Sequence, residues 1–167
     1  KPSPIVRLFS FLIDKKNINI TISDGNSSKT FQDSNPEEFD LSSIVKPSIP
    51  KFNNHNDKFI DVPLIRIAYG RSGDKGNKAN IGIISRDEKF YPIICSYLTE
   101  DVVKKCFAKF LNGNVKKFYL PGSYALNFIL DDVLGGGGPA SLRNDPQGKA
   151  YAQILLDEII PVPKSLL

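Results

Sequence analysis

The chain contains no methionine and no tryptophan, a single histidine and two cysteines. Each shortage excludes something. A primary translation product begins with methionine, so a chain that has none and opens Lys-Pro-Ser-Pro is expected to be a piece of a longer protein. The one histidine, His55, sits in a polar stretch, which leaves none for a catalytic triad or a histidine-rich metal site. Cys95 and Cys106 fall on apolar positions and read as two buried free thiols rather than a disulfide. Long apolar runs are missing as well. None approaches the ~20 residues that span a bilayer, and no basic-then-apolar leader opens the chain. A cytoplasmic location without membrane contact is the expectation. The net charge of +4 is mild: it suits a small anionic ligand and is too diffuse for nucleic acid.

What is present looks like an ordinary globular composition, with 41% apolar and 24% charged residues. The 167 residues fit one domain with an extension. Ile5–Ile13 and Asn17–Ser23 read as strands of a hairpin joined by Asp14-Lys15-Lys16, because Ile18, Ile20 and Ile22 alternate with polar residues. Asp24–Ser28 is a polar turn. We therefore expect a hairpin extension over residues 1–33, a proline-broken linker over 34–58 and a compact domain over 59–163.

In that domain Val62–Tyr69 alternates as a strand with Ile65, Ile67 and Tyr69 on one face. Asn80–Arg86 follows as a second strand, with Ile81 and Ile83 opposite Ile84, and Tyr91–Tyr97 as a short helix. Leu98–Asn112 has the helix spacing, with Thr99 as its cap, Val103, Cys106, Phe107 and Phe110 on its stripe, and Gly113 as a left-handed stop. The lysines at 104, 105, 109, 116 and 117 read as a solvated face. Val115–Leu120 and Tyr124–Leu130 are two more strands around Pro121-Gly122. Asp145-Pro146 opens a last helix with Tyr151, Ile154, Leu155 and Ile159 inward. This order predicts an α+β two-layer sandwich, a mainly antiparallel sheet with two main helices on one face.

Two segments carry the polar chemistry. Residues 70–78 read Gly-Arg-Ser-Gly-Asp-Lys-Gly-Asn-Lys between apolar runs. Residues 134–149 hold Gly135, Gly136, Gly137 and Gly138, then Ser141, Arg143 and Asp145. The first is not a nucleotide phosphate loop, since Asn77 precedes the lysine and Ala79 follows it. The second is not a dinucleotide fingerprint, since Pro139 falls inside it and no parallel unit surrounds it. As ligand loops, the glycines would turn backbone N–H groups onto an anion. Arg71 and Arg143 would grip it in pairs of bonds, and Lys75 would add a compact charge. Asp74 is the candidate catalytic base, while Ser72, Asn77, Asn80 and Ser141 are candidate ligand contacts. No metal site is expected. The plainer alternative, two exposed turns, explains the same residues.

The words Ala68–Arg86, Ala-Leu-Asn-Phe (125–128), Leu-Gly-Gly-Gly-Gly (134–138), Ser-Leu-Arg (141–143) and Asp-Pro-Gln-Gly-Lys (145–149) resemble a known family. They are similar to the C-terminal domain of the acyclic terpene utilisation protein A (AtuA) family, over roughly residues 61–161. Residues 2–11 resemble the end of that family's larger N-terminal domain. The resemblance implies a ferredoxin-like fold and a place in the breakdown of branched, isoprenoid-type acids, with CoA as part of the substrate. It implies the missing N-terminal domain as a partner, and part of an enzyme whose reaction it does not supply. An amide, Asn77, stands where the family pattern often has a carboxylate. The rival expectation is a non-catalytic homo-oligomerisation module that pairs through the hairpin edge. RNA binding lacks the aromatic sheet signature and the basic stripe.

Overall fold

The computed structural model describes residues 4, 6, 9, 11–31, 40–45, 47–52 and 57–167. His55, much of Ile5–Ile13 and parts of the expected linker lie outside the described residues. Two compact units result, one within Phe9–Lys46 and a second holding Pro47–Leu167.

In the first unit the hairpin differs from the expected one. Lys15–Asn17 is a single 3-10 turn, opened by Asp14, whose carboxylate accepts the Lys16 N–H at 3.1 Å. Asp14 thus curls the chain locally instead of joining two strands. Strand β1 (Ile20–Ser23) pairs forward with β2 (Ser28–Phe31), in register Ile20 to Phe31. Asp24 makes the turn, its Oδ1 accepting the N–H groups of Asn26 and Ser27 at 2.9 and 2.7 Å. Ile20, Ile22 and Phe31 share one face and are about half exposed.

The second unit contains β3 (Phe59–Pro63), β4 (Ala68–Lys75), β5 (Lys78–Ser85), α1 (Tyr91–Tyr97), α2 (Glu100–Cys106), β6 (Val115–Leu120), β7 (Ala125–Leu130), α3 (Tyr151–Leu156) and β8 (Ile159–Pro163). A four-stranded antiparallel sheet runs β4-β5-β7-β6, and β3 pairs with β8 in a separate ladder. Ala79, Ile81 and Ile83 on β5 and Leu126, Phe128 and Leu130 on β7 point to one side and are wholly buried or nearly so. The helices pack against the sheet, α1 on β5, α2 on β6 and α3 on β4 and β5. Ile84, pointing to the other side, is 43% exposed. The architecture is a ferredoxin-like α+β fold.

Several boundaries move, each for a local reason. The expected strand Val62–Tyr69 breaks at a 3-10 turn, Leu64–Arg66, so Leu64 and Ile67 are buried while Ile65 and Tyr69 are exposed. The expected polar loop 70–78 is instead the hairpin β4–β5, with only Gly76 and Asn77 in its turn. Gly76 has φ +68, which suits the first position of a two-residue hairpin turn. Helix α2 is shorter than its apolar spacing suggested. Thr99 does cap it, its hydroxyl accepting the Val102 N–H at 3.2 Å, but Phe107 leaves helical geometry. Val103 and Phe107 are fully buried, whereas Cys106 and Phe110 are partly exposed. Gly113 is not left-handed; a Cβ there would lie 2.5 Å from the Asp131 carbonyl oxygen, so close approach excludes a side chain.

Lys117 is not part of a solvated face. Its ammonium donates to the Cys95 carbonyl at 2.7 Å, at the end of α1, and burial pushes its pKa down. Strand β7 begins at Ala125, since Tyr124 takes a left-handed φ of 49°. Helix α3 buries Tyr151, Ala152, Leu155 and Leu156 and leaves Ile154 partly exposed. Ile159 belongs to β8, which the sequence reading missed. Both cysteines are free thiols. Burial and the nearby Glu158 and Asp157 carboxylates push Cys106 up to about 11, so it stays protonated at neutral pH.

Candidate functional site

Strand alternation sorts the polar residues of 70–78 onto two sides of the sheet. Register aligns Arg71, Gly82, Asn127 and Phe118 across the four strands, and beside them Gly73, Asn80, Ile129 and Lys116. Both rows face away from the helices. A third row on the same side joins Tyr69, Ile84, Ala125 and Leu120. Between the first and third rows lies a depression of about 320 Å³, lined by Tyr69, Arg71, Gly82, Leu120, Ala125 and Asn127 among others. Its floor is shallow in side chains because Gly82 and Ala125 are small. Tyr69, Ile84 and Leu120 are 54%, 43% and 47% exposed, and the Arg86 guanidinium lies over one face of the Tyr69 ring, 3.8 Å from its centroid.

Arg71 is exposed, and its guanidinium makes no hydrogen bond, ion pair or ring contact with any described residue. Asn80 donates from Nδ2 to the Oδ1 of Asn127 at 3.4 Å, so an amide pair borders the same surface. Lys75 shares the face of Arg71 but lies at the hairpin end, its ammonium donating to the Asp74 carbonyl at 3.2 Å. Asp74 points to the helix side, away from Arg71. It therefore does not orient Arg71, and as a candidate base it stands on the wrong face for this surface.

Ser72 also points inward and is buried. Its hydroxyl donates to the Lys149 carbonyl at 3.1 Å and accepts the Ala152 N–H at 2.9 Å. Ser72 therefore fastens the start of α3 to the edge strand and has no proton left for a ligand. Replacing it with alanine strands a buried N–H and a carbonyl, and we expect a stability loss of about 1–3 kcal/mol in urea titration. Asp145 works on the same segment, accepting the N–H groups of Lys149 and Ala150 at 2.9 and 2.8 Å. It caps from outside α3 rather than opening the helix with Pro146 as expected.

The two glycine-rich segments do meet, but the chain itself fills the meeting place. Asn77 at the hairpin turn accepts the Gly136 N–H on Oδ1 at 2.8 Å and donates from Nδ2 to Asp132 at 2.6 Å. Its carbonyl accepts the Val133 N–H. Gly135, Gly136, Gly137 and Gly138 all have positive φ, yet the Gly136 and Gly137 N–H groups are spent on Asn77 and Leu134. Arg143 lies against Gly135 and donates to the Val133 carbonyl, to the Tyr151 hydroxyl at 3.2 Å and to the Phe110 carbonyl at 3.1 Å. Ser141 accepts the Arg143 N–H at 3.3 Å. This is a structural clamp under a loop, not an open cationic pocket.

Residues 62–161 match the model of the AtuA ferredoxin-like domain, more than half of the chain. The chain belongs to the AtuA ferredoxin-like domain family. No curated protein and no solved structure matches it. In this AtuA ferredoxin-like domain the depression is lined by Arg71, which the motif reading named, and by Asn127, which it did not, with Asn80 bonded to Asn127 at its border. Alternation in Ala-Leu-Asn-Phe already put Asn127 on the face opposite Leu126 and Phe128. Among the described residues no group of three or more His, Cys, Asp or Glu stands close enough to hold a metal ion. No helix among them is long and apolar enough to cross a membrane.

Proposed function

We propose that this domain is the anion-gripping, active-site-completing part of an AtuA-type catabolic enzyme, and that its ligand is a branched or isoprenoid-type carboxylate or acyl-CoA. The observation that carries the reading is Arg71, an exposed guanidinium without an internal partner at the edge of an apolar depression. Arginine left free beside apolar walls matches an amphiphilic anion: a carboxylate, or a phosphate of CoA, takes paired N–H bonds while the acyl chain covers Ile84 and Leu120. The floor formed by Gly82 and Ala125 leaves width for a branch. The remaining walls of the site come from the N-terminal domain of the same protein. Isovalerate titrated calorimetrically into the chain tests this. Arg71→Gln is expected to weaken binding about tenfold or more, the worth of a charge-assisted pair, without lowering the melting temperature. Equal affinity in both proteins removes Arg71 from the ligand site.

A second reading, homo-oligomeric assembly, draws on Tyr69, Phe118, Leu120 and Ile84, which are exposed on the same sheet face. It predicts a concentration-dependent mass in sedimentation that Leu120→Glu abolishes, and no competition by isovalerate.

A further inference from the structure

We propose that Lys149 acts together with Arg71 on this surface and that the site is built for an anion with two negative charges, of which a phosphate monoester is the simplest. The proposal rests on the Arg71 reading above and adds a residue and a ligand charge to it.

Gly73 faces the same side as Arg71, two residues along β4, or about 7 Å away. Where a Cβ of residue 73 would stand, the nearest atom is the Lys149 ammonium nitrogen, at 3.2 Å, and the next is the Asn80 Oδ1, at 4.0 Å. The ammonium therefore occupies the space that a side chain at 73 would claim, beside the amide pair Asn80–Asn127. Its place is fixed from behind. The Lys149 N–H is held by Asp145 at 2.9 Å and its carbonyl by Ser72 at 3.1 Å, so the backbone on both sides of the side chain is tied to the fold. Ser72 and Asp145 are positioning residues in this scheme.

Neither cation is neutralised. Like Arg71, Lys149 makes no ion pair and no side-chain hydrogen bond with any described residue, although its backbone is pinned. Two like charges brought together on a glycine floor repel, and an anion placed between them reverses the sign of that interaction. A carboxylate satisfies the paired donors of Arg71 and leaves the lysine idle. A phosphate monoester, with about two charges and three acceptor oxygens near pH 8, meets both.

Isovalerate and isobutyl phosphate carry the same branched alkyl group, so they differ only in the head. Titrated into the intact chain at pH 8, isobutyl phosphate is expected to bind about tenfold more tightly, one added charge-assisted contact. Lys149→Gln should erase that preference with no change in melting temperature, and Lys149→Arg should keep it. Equal affinities of the unmodified chain for the two probes, or a preference that survives Lys149→Gln, overturns the proposal and leaves the Arg71 reading in place. Failure of Arg71→Gln to weaken either probe overturns the Arg71 reading itself, and binding of neither probe overturns both.

Discussion

Gly137→Ala is expected to cost about 2–4 kcal/mol, a large part of the ~5–15 kcal/mol that holds a domain of this size together. A Cβ at this position would sit 2.0 Å from the Gly76 carbonyl oxygen, 2.6 Å from its carbon and 3.0 Å from the Asn77 nitrogen. All three are backbone atoms of a two-residue hairpin turn, which cannot swing aside as the tip of a side chain can. The same turn is fixed by Asn77, through its bonds to Gly136 N–H and Asp132. Pushing it away breaks those bonds too. The residue also has φ +71, worth about 1 kcal/mol against any Cβ. Gly138→Ala separates the two causes. That position has φ +47 but nothing within 4 Å of its Cβ, so only the backbone penalty of about 1 kcal/mol applies. Urea unfolding followed by circular dichroism measures both. Equal losses would mean that the close approach contributes nothing.

That contrast shows why the polar segments were harder to read than the core. Period and composition are local, and they located β5, β6, β7, α1 and the Thr99 cap. Residues 70–75 defeated the local reading because glycine, serine and aspartate are poor strand formers. They form β4 because β5 pairs with them residue by residue and because α3 needs bare backbone beside it. A Cβ at Gly70 would lie 3.1 Å from the Leu156 side chain. Both causes are long-range. The same holds for the candidate site. Once β4 is a strand, alternation separates Arg71 from Asp74, and the β4–β5 register puts Asn80 on the side of Arg71. Before that, a loop allowed all of them to converge. The four glycines read as anion donors on composition. Whether their N–H groups are free depends on Asn77, some 59 residues away in the chain.

Arg143 gives the sharpest divergence between the two halves of the original pairing with Arg71. Arg143→Met keeps the apolar stem and removes the fork of donors. Three acceptors then each lose a hydrogen bond, the carbonyls of Val133 and Phe110 and the hydroxyl of Tyr151, and the bond between Tyr151 and Val133 is all that remains of the group. Tyr151 is 4% exposed, and its hydroxyl also donates to the Val133 carbonyl at 3.0 Å, so one buried oxygen organises the whole group. The guanidinium further covers the Phe110 ring at 5.4 Å, and that ring stacks on Tyr151. Charge-assisted bonds of this kind contribute about 1.5–3 kcal/mol each and do not add fully. We expect a loss of about 2–4 kcal/mol in urea titration, within that range. Arg143→Lys should recover little of it, because one ammonium cannot reach three acceptors set for a planar fork. Affinity for isovalerate should stay at the level of the unmodified chain, the reverse of Arg71→Gln, where affinity falls and stability holds. A stable Arg143→Met that no longer binds isovalerate would return Arg143 to the ligand site and make the clamp incidental.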